Sequence, residues 1–410
     1  MRLLTLTEYR TKQGVALSAG ERDTLRQVAP FIDITPTPGT SECYDLRPGS
    51  TIGTVDLGTL AIEIRPKLPI DRVLFLISYA LGQRRWREIE FDLAPAPSLV
   101  EAIVPGFVSQ LHRAFRHGVL QGYRSQEEAL LTIRGRIRFE DQIRRRFDQM
   151  LPIEVRYDEF TTDIEENRLL RAAIERLRRL RLRSPGTRHA LHAFDALLAD
   201  VAPVSYDPRQ LPTITWTRLN ERYRPAVTLA KLILRATSFD MRHGHVRAST
   251  FLIDMNEVFE DFVVLALRDA LNLRSTEFPQ GNASHSLTLD RAKTLTLKPD
   301  ISWWDGKHCL FVGDVKYKRT TIGQHDDIYQ LLAYTVAADL PGGLLIYAAG
   351  EREPARHDIV HLGKHLEVIA LDLAGPPEAV LRQIDHVAGR IRQLRQQALA
   401  HPLEHLALLS

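Results

Sequence analysis

At 410 residues, 44% hydrophobic and 26% charged, the chain is long enough for two or three globular domains and falls outside the disordered and collagen-like classes. Its two cysteines, Cys43 and Cys309, make neither a disulfide framework nor a four-thiolate zinc site, which points to a reducing compartment. A net charge of +3 permits a nucleic-acid partner without requiring one, although residues 131–183 concentrate fourteen arginines against ten acidic residues.

Residues 1–93 read as a β-rich N-terminal docking domain. Residues 59–64 alternate apolar and polar and stop at Arg65-Pro66, where proline ends a ladder. A helix follows, with Val73, Leu74, Ile77 and Leu81 on its apolar face. The most apolar runs, 73–81 and 262–267, fall far short of the ~20 residues of a membrane span, and polar residues interrupt the N-terminus within a few positions. The expectation is a cytoplasmic protein with no membrane partner. Residues 94–97, Ala-Pro-Ala-Pro, read as a hinge.

The middle region, 94–245, reads as mainly helical, with a helix over 99–118 and a short alternating strand over 130–139 (Leu131, Ile133, Ile137, Phe139). Another helix starts near Asp163, where Asp163 and Glu166 have capping-box spacing. Arg144, Arg145, Arg146 and the arginines of 176–183 suit either DNA phosphates or the solvated side of helices whose leucines face inward.

Residues 246–410 change to an α/β layered pattern. An amphipathic helix covers 254–271, with Glu257 as a capping partner of Asp254. Strands follow at 284–289, 295–304 and 308–318, a helix at 324–338, strands at 343–348 and 366–371, and a closing helix at 377–399. His357, His361 and His365 recur every four residues, but Gly363 and strand-like neighbours favour scattered surface histidines over a helical zinc stripe.

Chemistry concentrates between Lys298 and Lys318. Two strands flank Asp305-Gly306, a strong hairpin signal. Asp314 and Lys316, two apart on one strand, leave the same face, and burying such charges unpaired is costly. Asp300 and Asp314 offer hard oxygen ligands for Mg²⁺, and Lys316 suits the attacking water or a scissile phosphate, so the set suits metal-assisted phosphodiester hydrolysis. A two-residue Asp305-Gly306 loop pairs position 300 with 311 and leaves Asp314 about 10 Å away at strand rise, with Asp300 on the opposite face. Convergence therefore requires a bulge or bend, with Gly306 and Gly313 as candidate positions.

Pro299-Asp300 with Asp314-Val315-Lys316 resembles the PD-(D/E)xK pattern of restriction-endonuclease-like nucleases. Over most of its length the chain resembles the McrC family, the nuclease subunits of modified-cytosine restriction systems. The resemblance rests on Ile64-Arg-Pro-Lys-Leu68, Leu131-Thr-Ile-Arg-Gly-Arg-Ile137, Tyr157-Asp-Glu-Phe-Thr-Thr-Asp163 with Asn167-Arg168, Met255-Asn-Glu-Val-Phe-Glu260 and Tyr329-Gln-Leu-Leu-Ala-Tyr334. It implies an α/β multidomain protein whose C-terminal restriction-endonuclease-like domain cuts double-stranded DNA with Mg²⁺. It also implies an N-terminal part that docks on a McrB-type hexameric AAA+ GTPase and stimulates its GTP hydrolysis. GTP would be bound by that partner, and the chain has no G-x-x-x-x-G-K-[ST] loop of its own. Asp300, Asp314 and Lys316 take the family's catalytic roles, with Asp300 and Asp314 on the metal. Glu260 is the helix acid that such sites often add, and Gln330 and Tyr334 resemble an accessory pair. Two other functions stay open: a non-cleaving GTPase-activating subunit and a stand-alone repair nuclease.

Overall fold

The computed structural model describes residues 2–40, 42–80, 99–180, 182–208, 210–236, 241–243, 246–280, 286–317, 324–348 and 355–407. The chain is mixed α/β and divides into two units, 1–90 with 239–410, and 91–238. The expected hinge at 94–97 lies outside the described residues.

The N-terminal segment contributes β1 (Arg2–Thr7), β2 (Lys12–Ala16), α1 (Ala19–Val28), β3 (Ile32–Pro36), β4 (Cys43–Pro48), β5 (Thr51–Asp56), β6 (Leu60–Arg65) and α2 (Ile70–Ala80). Helix α1 was not expected, yet its start carries a capping box. Ser18 Oγ accepts from the Glu21 amide at 3.2 Å, and the Glu21 carboxylate accepts from the Ser18 amide at 3.0 Å. Alternate residues of β1, β5 and β6 (Leu6, Val55, Leu60, Ile62) close on Leu25 of α1 and Leu46 of β4 to form one apolar core.

The second unit holds α3 (Leu99–Ala114), β7 (Gly122–Leu130), β8 (Arg136–Ile137), α4 (Phe139–Arg145), β9 (Ile153–Thr161), α5 (Glu165–Arg178), α6 (Pro185–Leu197) and α7 (Arg224–Arg235). It is helical as expected but also carries a three-stranded sheet in the order β7-β9-β8. The strand expected over 130–139 shrinks to β8, and Leu131, Ile133 and Phe139 are exposed, because the long β7–β9 pairing supplies the sheet instead. The capping box expected at Asp163 is also absent. Helix α5 begins at Glu165; Asp163 accepts from Arg168 and Arg124, and Glu166 takes the Asn220 amide at 2.8 Å. Arginine, a charge-assisted donor, outcompetes a helix-end amide for this carboxylate. The arginine runs bind within the unit: Arg144 to Asp141, Arg146 to Glu154, Arg178 to Asp195 and Arg176 to the Leu234 and Ala236 carbonyls.

The C-terminal segment adds β10 (Met241–His243), β11 (Val246–Asp254), α8 (Met255–Leu271), β12 (Leu287–Thr288), β13 (Thr296–Leu297), β14 (Ile301–Asp305), β15 (His308–Lys316), α9 (Gln324–Ala337), β16 (Gly342–Ala348), β17 (Ala355–Ile359), β18 (Lys364–Leu371) and α10 (Pro377–Ala407). A five-stranded sheet runs β14-β15-β16-β18-β17, parallel from β15 through β18 and antiparallel at both edges. The stretches 1–93 and 246–410 were expected as separate domains, but residues 1–90 lie in one unit with 246–410. β11 pairs antiparallel with β5, giving the order β1-β6-β5-β11-β10. Gly53 makes that approach possible: at φ +125°, a Cβ there would stand 2.0 Å from the Phe251 carbonyl oxygen. Ser50 then ties the start of α8, accepting from Asn256 Nδ2 at 2.7 Å and donating to Asp254 at 2.8 Å. Asp254 caps α8 through the Asn256 amide. Phe75 and Tyr79 of α2 pack edge-on against Phe262 of α8.

Candidate active site

The β14–β15 hairpin turns one position later than Asp305-Gly306 implies. Asp305 pairs with His308, so Gly306 (φ +60°) and Lys307 form the loop. Between Trp303 and Trp304 the register then shifts. Trp304 faces Cys309, whereas Trp303 faces Phe311, leaving Leu310 as the extra residue. Turn and bulge together carry the register to Ile301 opposite Gly313, and continuing it sets Asp300 beside Asp314. Of the two glycines proposed from sequence, Gly306 takes part through the turn, whereas the bulge falls at Leu310 and not at Gly313. Gly313 serves close packing instead, since a Cβ there would lie 2.7 Å from the Leu344 carbonyl oxygen and 2.9 Å from Ile301.

Asp300, Asp314 and Lys316 converge. The Lys316 ammonium lies 2.5 Å from Asp314 Oδ2 and 3.7 Å from Asp300 Oδ2. Asp300 Oδ2 also accepts the Val315 amide at 2.9 Å, which clamps the loop before β14 onto β15. Asp314 is fully buried, and neither of its oxygens accepts a well-aligned hydrogen bond. Its bond is the ion pair alone. Burial first, and Asp300 second, push the Asp314 carboxyl well above the usual carboxylate range. Burial opposes the charge on Lys316, but Asp314 and Asp300 outweigh it and raise the lysine's pKa.

Glu260, on α8, is pushed up to about 7 by burial and by the nearby Asp300 charge. Gln280 Nε2 lies 3.4 Å from its carboxylate and 2.6 Å from that of Asp261. Gln330 and Tyr334 share a face of α9. Gln330 donates to the Tyr334 hydroxyl at 2.6 Å, and that hydroxyl donates to the Lys298 carbonyl at 2.9 Å, pinning the backbone two residues before Asp300. Asp327, missed from sequence, is buried in the first turn of α9. It accepts the Tyr347 hydroxyl at 2.6 Å, and its charge adds to the field that keeps Lys316 protonated. A tyrosine inside the all-buried strand 342–348 is the signal that could have found it, since a buried hydroxyl requires a partner.

A divalent cation fits the Asp300–Asp314 pair: two hard carboxylates meet, and neither oxygen of the buried one accepts a well-aligned hydrogen bond. Among the described residues no three His, Cys, Asp or Glu side chains close on one point. Glu260 lies close enough to the pair to feel the Asp300 charge.

The family model of the McrBC 5-methylcytosine restriction system component matches residues 46–348, about three quarters of the chain. The chain belongs to the McrBC family. No curated protein matches it. Among solved structures, it is similar to a chain of the Thermococcus gammatolerans half-complex of McrB AAA+ hexamers with bound McrC. That match has 18% identity and a TM-score of 0.52, over 94% of this chain and all of the other. A second similar chain, from the cryo-EM structure of the Thermococcus gammatolerans McrBC complex, has 21% identity and a TM-score of 0.40, over 66% of this chain and 88% of the other. The match to the McrBC family spans both units and includes Asp300, Asp314 and Lys316. Among the described residues no helix is long and apolar enough to cross a membrane.

Proposed function

We propose that the chain is the McrC-like nuclease subunit of a restriction system, cleaving modified double-stranded DNA by Mg²⁺-dependent phosphodiester hydrolysis. It would act in complex with a McrB-type AAA+ GTPase hexamer and stimulate that partner's GTP hydrolysis. The observation that carries the cleavage reading is the meeting of Asp300, Asp314 and Lys316 on a bulged hairpin, with Asp314 buried against the Lys316 ammonium. Asp300 and Asp314 would hold the Mg²⁺. When bound, the cation supplies Lewis-acid charge that offsets the negative charge developing on the phosphate. Lys316, seated between the two carboxylates, is placed to donate to the attacking water or the phosphate. The Asp300 contact with the Val315 amide and the Tyr334 contact with the Lys298 carbonyl fix the distance between the two carboxylates.

The partnership reading draws on family membership and on the McrB hexamers bound to McrC in the similar structure. The resemblance places docking in residues 1–93; the exposed apolar side chains lead us to assign it to the second unit instead. Tyr123 and Phe160 lie ring to ring across β7 and β9, and Ile143, Phe147 and Met150 are each more than half exposed on the same unit. Apolar side chains in such number on a surface mark a protein contact.

The test is cleavage of methylated plasmid by the chain with its cognate AAA+ partner, GTP and Mg²⁺. Cutting that Asp314→Ala abolishes, with GTPase stimulation retained, supports the reading. Intact DNA with stimulated GTPase refutes cleavage and leaves the activating role. Cutting without any partner or GTP refutes the partnership.

A further inference from the structure

Behind the carboxylate pair, the N-terminal segment reaches the end of the catalytic strand through a buried hydrogen bond. We propose that Glu8 is a positioning residue for the nuclease, acting through Tyr317 to hold the end of β15 so that Lys316 is aimed at Asp300 and Asp314. The inference rests on the cleavage reading above.

Lys316 is the last residue of β15 and is paired with Tyr347 on β16, but on the other side β14 stops pairing at Gly313. Residues 314–316 are therefore laddered along one edge only, with the Asp300 side chain on the other. Alternation turns Tyr317 away from Asp314 and Lys316, toward the opposite face of the sheet. There the tyrosine is 1% exposed, and its ring lies 5.8 Å from that of Phe259 on α8. Its hydroxyl donates to Glu8 Oε1 at 3.1 Å.

Glu8 is itself 1% exposed and rigidly seated. Its amide donates to the Arg65 carbonyl at 3.0 Å, and Oε1 also accepts the Lys67 amide at 2.5 Å. The Lys67 ammonium stands 4.2 Å over the Tyr317 ring, a cation–π contact on the same tyrosine. The Ile64-Arg-Pro-Lys-Leu68 motif thus acquires a task. Pro66 ends β6, and the chain that follows presents the Lys67 amide and ammonium to the Glu8–Tyr317 pair. Burying a carboxylate for packing alone is unfavourable. Using it to receive the hydroxyl next to Lys316 explains its place.

The experiment uses the full chain with its AAA+ partner, GTP and Mg²⁺, and reads the single-turnover cleavage rate and the Mg²⁺ and DNA half-saturation. Tyr317→Phe keeps the ring and removes only the hydroxyl, so it folds even where Glu8→Ala does not. Each of these variants is expected to slow cleavage about tenfold, the scale of one lost hydrogen bond. Half-saturation and GTPase stimulation should stay at wild-type values. Glu8→Gln, which retains an acceptor oxygen, should recover most of the rate. The double variant Glu8→Ala/Tyr317→Phe should be no slower than the worse single, because both remove one interaction. Wild-type cleavage by Tyr317→Phe overturns the proposal, as do additive losses, a shifted half-saturation at unchanged rate, or no rescue by Gln. In all of these cases the wild-type chain still cuts and Asp314→Ala does not. If the wild-type chain fails to cut, the cleavage reading itself falls.

Discussion

Replacing Asp314 with Asn should make the metal-free protein more stable while abolishing cleavage. Asp314 is fully buried, neither oxygen accepts a well-aligned hydrogen bond, and its pKa is pushed up from the ordinary value of 3.8 by burial and by Asp300. Each unit of such a shift corresponds to about 1.4 kcal/mol, and the shift already includes the opposing pull of Lys316, so ionising Asp314 in the fold costs several kcal/mol net. Lys316 keeps Asp300 at 3.7 Å in the variant. The net gain for Asn in EDTA at pH 8 is about 2 kcal/mol, or about 4–8 °C in the melting of the unit that contains the site. A raised carboxyl pKa contributes stability that is complete below the ordinary carboxylate range and is lost as pH rises through the folded value. The wild-type protein should therefore fall behind Asp314→Asn between about pH 4 and pH 8, and the two should meet in acid. Glu260 titrates in the same direction in both proteins and does not create the gap. At a Mg²⁺ concentration ten times its dissociation constant, the wild type should gain about 1.4 kcal/mol and the variant nothing. Differential scanning calorimetry with EDTA or Mg²⁺ at pH 5 and pH 8 measures all of this. A variant that melts lower at pH 8, a gap that widens in acid, or equal Mg²⁺ stabilisation of both proteins refutes the reasoning.

Gly313→Ala should lose about 2 kcal/mol of stability and most cleavage, because the new methyl would press on the Leu344 carbonyl and Ile301 and part the sheet beside Asp314; a wild-type melt and rate would contradict this. Asp163→Asn should cost the second unit about 2 kcal/mol at pH 7 by weakening the bonds from Arg168, Arg124 and the Ala202 amide. The Arg168 hydrogen bonds hold the Asp163 carboxyl below the usual range, so its contribution is present above about pH 4 and lost as pH falls through the lowered value. Urea titrations should show a larger difference at pH 7 than at pH 2.5. The exposed pair Phe147→Ser and Met150→Ser should leave stability within about 0.5 kcal/mol, yet weaken partner binding and GTPase stimulation at least tenfold. Unchanged binding would move docking elsewhere on the chain.

Local patterns were legible where one segment sufficed to express them. The apolar face of α8, expected over 254–271, spans Met255–Leu271, and the buried strand expected at 343–348 spans Gly342–Ala348. Asp300, Asp314 and Lys316 could be named because a strand's alternation puts Asp314 and Lys316 together whatever the register. Their meeting with Asp300 was not legible. It depends on a loop at Gly306 and Lys307 and on Leu310 bulging out, and neither differs in composition from the alternatives. Asp163 misled for a related reason. Its spacing to Glu166 suits a cap, but Arg124 and Arg168, the former 39 residues away, claim the carboxylate. Strand β17 has half-polar alternation with no buried run, and it went unseen until β18 was there to pair with it. The joining of β5 to β11 spans about two hundred residues, and only the open backbone at Gly53 hints at it.

That joining also sets a timetable for synthesis. On the ribosome, β5 emerges early but its neighbour β11 follows only after the whole of 91–238 has been made. At ~5–20 residues per second this leaves a bare strand edge for on the order of ten to forty seconds. During that interval the intervening unit can finish folding while the half-built sheet waits, so nascent chains stalled before residue 246 should be the ones that chaperones hold and aggregates collect.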